Sequence, residues 1–167
     1  MAVMKLKHVH FRVDDRLIHG QVVTVWSRYY KLKQIIIVDD EVARDPIQRQ
    51  IISVVTPADM KVHICGTGDA PPLIEQAESE GISTMVLVKG PEALAKLAEH
   101  QVPVREVIMG GMQFKAGHRQ ITKTVSVSER QAVLFAELSK AGIKFTLQVI
   151  PSERPQDFIE ILQSKGG

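Results

Sequence analysis

The chain has 167 residues, 44% of them hydrophobic and 24% charged, with a formal net charge of +2. A chain of that length buries about two-thirds of its unfolded surface in one core, and the composition excludes disorder, so a single domain over residues 1–167 is expected. The scattered basic residues argue against nucleic acid, the absence of a run of about 20 apolar residues or a signal-peptide core points to a cytoplasmic protein, and the single cysteine, Cys65, excludes an internal disulfide.

Short apolar runs alternate with longer amphipathic segments, the pattern of a mostly parallel sheet covered by helices. The first strand is read over Lys5 to Val13 and a helix over Gly20 to Tyr30. QIIIVDD, Gln34 to Asp40, is β-branched and ends in acids, as a buried central strand should, and Asp45-Pro46 opens a helix to Val55 with a capping acid and a proline at its first position. Met60 to Cys65, Ser83 to Val88 and Arg105 to Met109 read as strands, the last closed by Gly110-Gly111. Pro71 to Glu80, stopped by Gly81, and Pro91 to His100 read as helices. Met112 to Ser128 breaks the rhythm and reads as a long loop with an edge strand, Lys123 to Val127. Ser128 then caps a helix to Ala141, Ile143 to Val149 is the last long strand, and Pro155 to Ser164 a closing helix. The expectation is a three-layer α/β/α fold with about six or seven mostly parallel strands, helices on both faces and one short antiparallel edge strand.

Chemistry concentrates in VDDRLIHGQ, at the carboxyl end of the first strand, where ligands bind in open α/β sheets. His19 stands at a helix start, where free amides and the positive dipole end favour an anion, and Gly20 permits close approach. Arg16, three residues earlier, offers a fork of donors matched to phosphate oxygens, and Asp14 or Asp15 can hold that arginine or fix the imidazole tautomer. A neutral imidazole is a competent nucleophile, and once phosphorylated it needs fixed donors for its new charge. Read without further context, these residues fit a helix-capping histidine beside a surface ion pair equally well.

RVDDRLIHGQV closely resembles the active-site segment of the IIB components of the bacterial phosphotransferase system, in the mannose, fructose, sorbose and N-acetylgalactosamine family. IIIVDDEVARDP, GGMQFKAGHRQITKTVSVSE and GIKFTLQVIPSERP are similar to further segments of that family, so the resemblance covers nearly the whole chain. It implies that His19 takes a phosphoryl group from a phosphohistidine of a separate IIA component and passes it to a sugar held by membrane IIC and IID components. Arg16 and Asp14 would share the site. Arg12, two positions before Asp14 on one strand face, is expected at the rim with Ile18, Gly20, Gln21, Gly110 and Gly111 as phosphate-binding or rim residues. The resemblance implies neither cofactor nor metal, and places the protein in the cytoplasm at the inner membrane face through IIC and IID. The sugar stays open, and a homodimer is compatible with the sequence.

Rival readings are weaker. IIIVDDE resembles the acidic pair of receiver domains, but a strand and helix already precede it and the later strands lack the required aspartate and lysine. No GxGxxG or P-loop follows a strand, and CGTGD is only a glycine turn. His8 and His10 share a strand face but lack a third metal ligand, and His63, His100 and His118 read as surface or loop residues. Trp26 reads as core packing, being at helical spacing from Val22. The alternative of another class is a regulatory binding module whose docking changes with phosphorylation.

Overall fold

The computed structural model describes residues 5–20 and 22–166. Seven strands form one sheet in the order β3-β2-β4-β1-β5-β8-β9. The chain runs β1 (Val9–Asp14), a π-helical segment (Val22–Trp26) continuing into α1 (Ser27–Tyr30), β2 (Gln34–Val38), α2 (Asp40–Arg44), α3 (Pro46–Val55), β3 (Lys61–Cys65), α4 (Ala70–Ser79), β4 (Thr84–Val88) and α5 (Pro91–Glu99). It continues through β5 (Glu106–Gly111), β6 (Arg119–Gln120), β7 (Ser126–Val127), α6 (Glu129–Lys140), β8 (Lys144–Leu147), β9 (Gln156–Asp157) and α7 (Phe158–Ser164). Pairings within the large sheet are parallel except that of β8 with β9.

The two sheet faces bury different side chains because strand residues alternate. Val9, Phe11 and Val13 of β1 face the larger core, with Ile74, Leu94, Phe135 and Phe158 from α4, α5, α6 and α7. The opposite core holds Trp26, Val42 and Ile52 beneath Ile35, Ile37, Met85 and Leu87. β2 and β4 are buried at every position, which is why each is a run of four apolar residues after its polar first one, Gln34 or Thr84.

From β1 the chain moves to β2 and β3 on one side of the sheet, and later from β4 past β1 to β5 and β8 on the other. The carboxyl ends of β1 and β5 therefore flank the point where the strand order reverses, where such sheets leave a crevice. A register shift deepens it: Val13 pairs with Met109 but Asp14 with Gly111, so Gly110 is bulged out of the ladder.

Several sequence expectations are corrected. β2 stops at Val38, because the Asp39 side chain accepts from the Glu41 and Val42 amides and starts α2, an element the sequence reading missed. Gly110 and Gly111 belong to β5 instead of closing it. The expected edge strand over Lys123 to Val127 shrinks to β7, which pairs with β6 in a separate ribbon. The antiparallel edge of the large sheet is instead β9, within the segment read as the start of the last helix. His63 is a half-buried residue of the edge strand β3 and not of a loop.

Candidate active site

The histidine turn is built around one carboxylate. Asp14 is fully buried at the end of β1. Its Oδ1 accepts from the Arg16 amide at 3.2 Å and from Arg16 Nε at 2.9 Å, and its Oδ2 from Arg16 Nη2 at 2.9 Å. This two-pronged contact holds the half-exposed Arg16 guanidinium and raises its pKa further above an already high value. The same Oδ2 lies 3.6 Å from His19 Nε2 and 3.5 Å from Arg12 Nη2.

The turn bends sharply to bring His19 back over Asp14. Leu17 adopts the left-handed region at φ 58°, its amide donating to the Asp14 carbonyl at 3.0 Å. That conformation is uncommon for a residue with a Cβ, and here the buried Leu17 side chain anchors it in the core. It places the Leu17 carbonyl 3.0 Å from His19 Nδ1. Nε2 is buried without a hydrogen-bond partner among the described residues. A neutral imidazole donates from one nitrogen only, so either Nδ1–H meets Leu17 or Nε2–H is turned to Asp14. The helix beyond opens with the His19 carbonyl accepting from both Val22 and Val23 amides, at 3.1 and 3.2 Å.

The glycine loop is tied to this turn through Asp15. Its amide donates to the Gly111 carbonyl at 3.0 Å, and its Oδ2 accepts from the Gln113 amide at 2.7 Å. Between them lies a cleft of about 310 Å³ lined by Asp15, Arg16, Gly111, Gln113, Phe114 and Lys123. Gly110 explains itself by crowding: a Cβ there would meet Arg12 Cζ and Asp14 Oδ2, each at 2.6 Å.

The structure thus brings His19, Arg16, Asp14, Gly110 and Gly111 together. Gly20 follows His19 with open space where a side chain would be. Gln21 lies outside the described residues. The Ile18 side chain is core, so only its backbone can reach the rim. Arg12 is the clearest correction. It is on the Asp14 face as expected, yet fully buried beneath the site and not at the rim. Its Nη1 donates to the Gln148 carbonyl at 3.0 Å and its Nη2 to the Val149 carbonyl at 3.1 Å. Burial lowers its pKa to about 10, so it stays cationic near neutrality.

Sequence reasoning missed Gln113, Gln148 and Val149, which contribute through backbone atoms from the segments just past β5 and β8, remote in sequence from the histidine turn. The acids that tempted a receiver reading have other uses. Asp39 caps α2, while Asp40 accepts from Lys96 Nζ and the Thr67 amide, each at 2.8 Å. His10 stacks on Tyr30 with ring centroids 3.7 Å apart. Among the described residues no group of three or more His, Cys, Asp and Glu could hold a metal ion, and no helix is long and apolar enough to cross a membrane.

Comparison with known proteins gives one answer throughout. The family profile described as "PTS system sorbose subfamily IIB component" matches residues 8–167. The fructose-specific EIIB component of Bacillus subtilis is 36% identical over 153 residues, covering 92% of this chain and 94% of that protein. The mannose-specific EIIAB component of Escherichia coli K12 is 30% identical over 151 residues, 90% of this chain and 47% of that protein. The IIBSor domain of the sorbose permease from Klebsiella pneumoniae superposes with a TM-score of 0.87 at 29% identity, covering 96% of this chain and 99% of that one.

Proposed function

Since the chain belongs to the sorbose-subfamily IIB components of the phosphotransferase system, phosphotransferases of sugar uptake, we propose that His19 is the residue that accepts and passes on the phosphoryl group. The observation that carries this reading is the placement of His19 and Arg16 on one buried carboxylate at the sheet's reversal point.

Once the ring turns from the Leu17 carbonyl and closes the 3.6 Å gap between Nε2 and Asp14, Asp14 accepts the Nε2–H and the Nδ1 lone pair is free as nucleophile. Phosphoryl transfer needs little covalent help from the protein beyond positioning and balance of spread-out charge. Arg16 supplies a fixed positive charge beside the histidine, and among the described residues the Ile18 and His19 amides have no hydrogen-bond acceptor and are available to phosphate oxygens. Gly20 leaves that approach unobstructed.

The donor in this reading is a phosphohistidine on a separate IIA component, and the acceptor a sugar presented by membrane IIC and IID components. That a relative named EIIAB matches this chain over about half its own length supports the IIA partnership. The protein works in the cytoplasm, docked to the inner membrane face. Sugar choice lies with the membrane components, in keeping with fructose- and mannose-specific relatives both matching this chain.

The test is to label the chain with a phosphorylated IIA donor, remove the donor, and add vesicles carrying IIC and IID with fructose, sorbose, mannose or N-acetylgalactosamine. A relay component loses its label to one of these sugars. A chain that docks to the vesicles but keeps its label is the regulatory binding module instead.

A further inference from the structure

Trp26 is the chain's only tryptophan and fully buried. Core packing accounts for that burial but not for its polar contacts. The indole N–H donates to the Val149 carbonyl at 2.8 Å, the oxygen that also accepts from Arg12 Nη2 at 3.1 Å. The Arg12 guanidinium lies over the indole ring, 4.9 Å from its centroid. Arg12 is therefore gripped by a ring on one side and by the Gln148 and Val149 carbonyls on the other. From that grip Nη2 reaches Asp14 Oδ2, the atom that also takes Arg16 and faces His19 Nε2.

Backbone geometry links the same groups. His10, Arg12 and Asp14 alternate onto one face of β1, and Trp26 and Tyr30 share one face of the helical run. His10 stacks on Tyr30, Tyr30 on Trp26, and Trp26 meets Arg12. The π-helical opening, with two amides on the His19 carbonyl, joins the tryptophan's segment directly to the histidine.

We infer that Trp26 is a positioning residue of the phosphoryl-accepting site: it fixes Arg12, which fixes the Asp14 carboxylate that holds Arg16 and faces His19. The inference rests on the phosphohistidine reading and adds to it a residue that touches neither donor nor acceptor. Without the indole, Arg12 keeps its carbonyls but loses the ring and the shared hydrogen bond that set its plane. Asp14 is then less firmly placed and less neutralised.

The experiment compares Trp26→Leu and Trp26→Phe in the wild-type and Arg12→Lys backgrounds. The rate of phosphoryl transfer from a phosphorylated IIA donor is measured at saturating and half-saturating donor. Trp26→Leu lowers the saturated rate roughly tenfold while the half-saturating concentration stays within about twofold, because positioning and not docking is lost. Trp26→Phe, which keeps a ring, falls between. In the Arg12→Lys background the tryptophan substitutions cost less than about twofold, since they act through Arg12. Equal losses in both backgrounds, or a loss confined to half-saturation, overturn the inference and return Trp26 to core packing.

A second readout needs no donor: NMR of the Arg12 guanidinium, whose rotation about the Nε–Cζ bond is restrained by the indole ring and the Gln148 and Val149 carbonyls. Trp26→Leu speeds that rotation about threefold or more, and Trp26→Phe by less. If the wild type takes no label, the phosphohistidine reading fails while this rotation rate still decides whether Trp26 holds Arg12. An unchanged rate in both tryptophan variants overturns the inference, and Trp26→Phe supplies the answer if Trp26→Leu does not fold.

Discussion

Replacing Gly110 with alanine adds one methyl group at a crowded point beneath the candidate site. Gly110 does not have a positive φ, so the backbone tolerates alanine and any cost is steric. The new Cβ would lie 2.6 Å from both Arg12 Cζ and Asp14 Oδ2, against ordinary contacts of 3.4–4 Å. A long side chain usually yields to such pressure at little cost, but Arg12 is tied by two carbonyls and a ring, and Asp14 by three hydrogen bonds from Arg16. Overpacking alone costs about 1–3 kcal/mol, and separating a buried ion pair about 3–5 kcal/mol. We expect a loss of about 3 kcal/mol, read as a lower urea midpoint at unchanged slope, and a fall in Tm of roughly 6–12 °C for a chain of this size. Gly111→Ala is the control. Its nearest contacts are the Thr124 carbonyl at 3.4 Å and Arg16 Nη2 at 3.6 Å, so its cost stays below about 1 kcal/mol. If the two variants lose equal stability, or Gly110→Ala loses less than about 1 kcal/mol, the buried cluster is looser than argued.

Three further outcomes follow from the same geometry. Arg16→Lys keeps the charge but loses the two-pronged hold on Asp14, so phosphoryl transfer slows at least about tenfold in a rapid-quench assay while stability changes by less than about 1 kcal/mol. The hydrogen bond from Lys96, with that from the Thr67 amide, holds Asp40 down at about 2. A depressed folded-state pKa stabilises above the unfolded value near about 4 and is lost as pH falls towards about 2. The urea midpoint of Lys96→Met therefore lies only slightly below that of the wild type near neutrality, the pair being half exposed, and the two converge across that acid window. Ser128→Ala breaks the reciprocal cap with Gln131 at the start of α6 and costs about 1 kcal/mol in chemical denaturation.

Elements with their own local signals were legible in the sequence. Asp45-Pro46 and Ser128 start α3 and α6 where capping chemistry says they should, and Gly81 and Gly142 follow helices with positive φ. Elements shaped by distant partners were not. β9 and β7 are two-residue pieces that exist through β8 and β6, and no propensity marks them. The candidate site divides in the same way. Asp14, Arg16 and His19 sit within six residues, so one turn assembles them and the sequence displays them together.

Arg12 shows the limit of alternation as a guide. It gives the face a residue occupies but not what covers that face, and the covering groups come from Trp26 and from Gln148 and Val149 just past β8. The crowding at Gly110 is likewise invisible without the pairing of β1 with β5, because a glycine pair after a strand reads equally well as a simple turn.

Whether His19 is the phosphoryl acceptor is read most directly by labelling the wild type and His19→Ala with a phosphorylated IIA donor, followed by acid and alkali treatment. We expect a label on the wild type alone, lost in acid and stable in alkali, as a phosphohistidine is. A label that persists in His19→Ala, or that alkali removes, places the acceptor elsewhere in the chain and overturns the proposal.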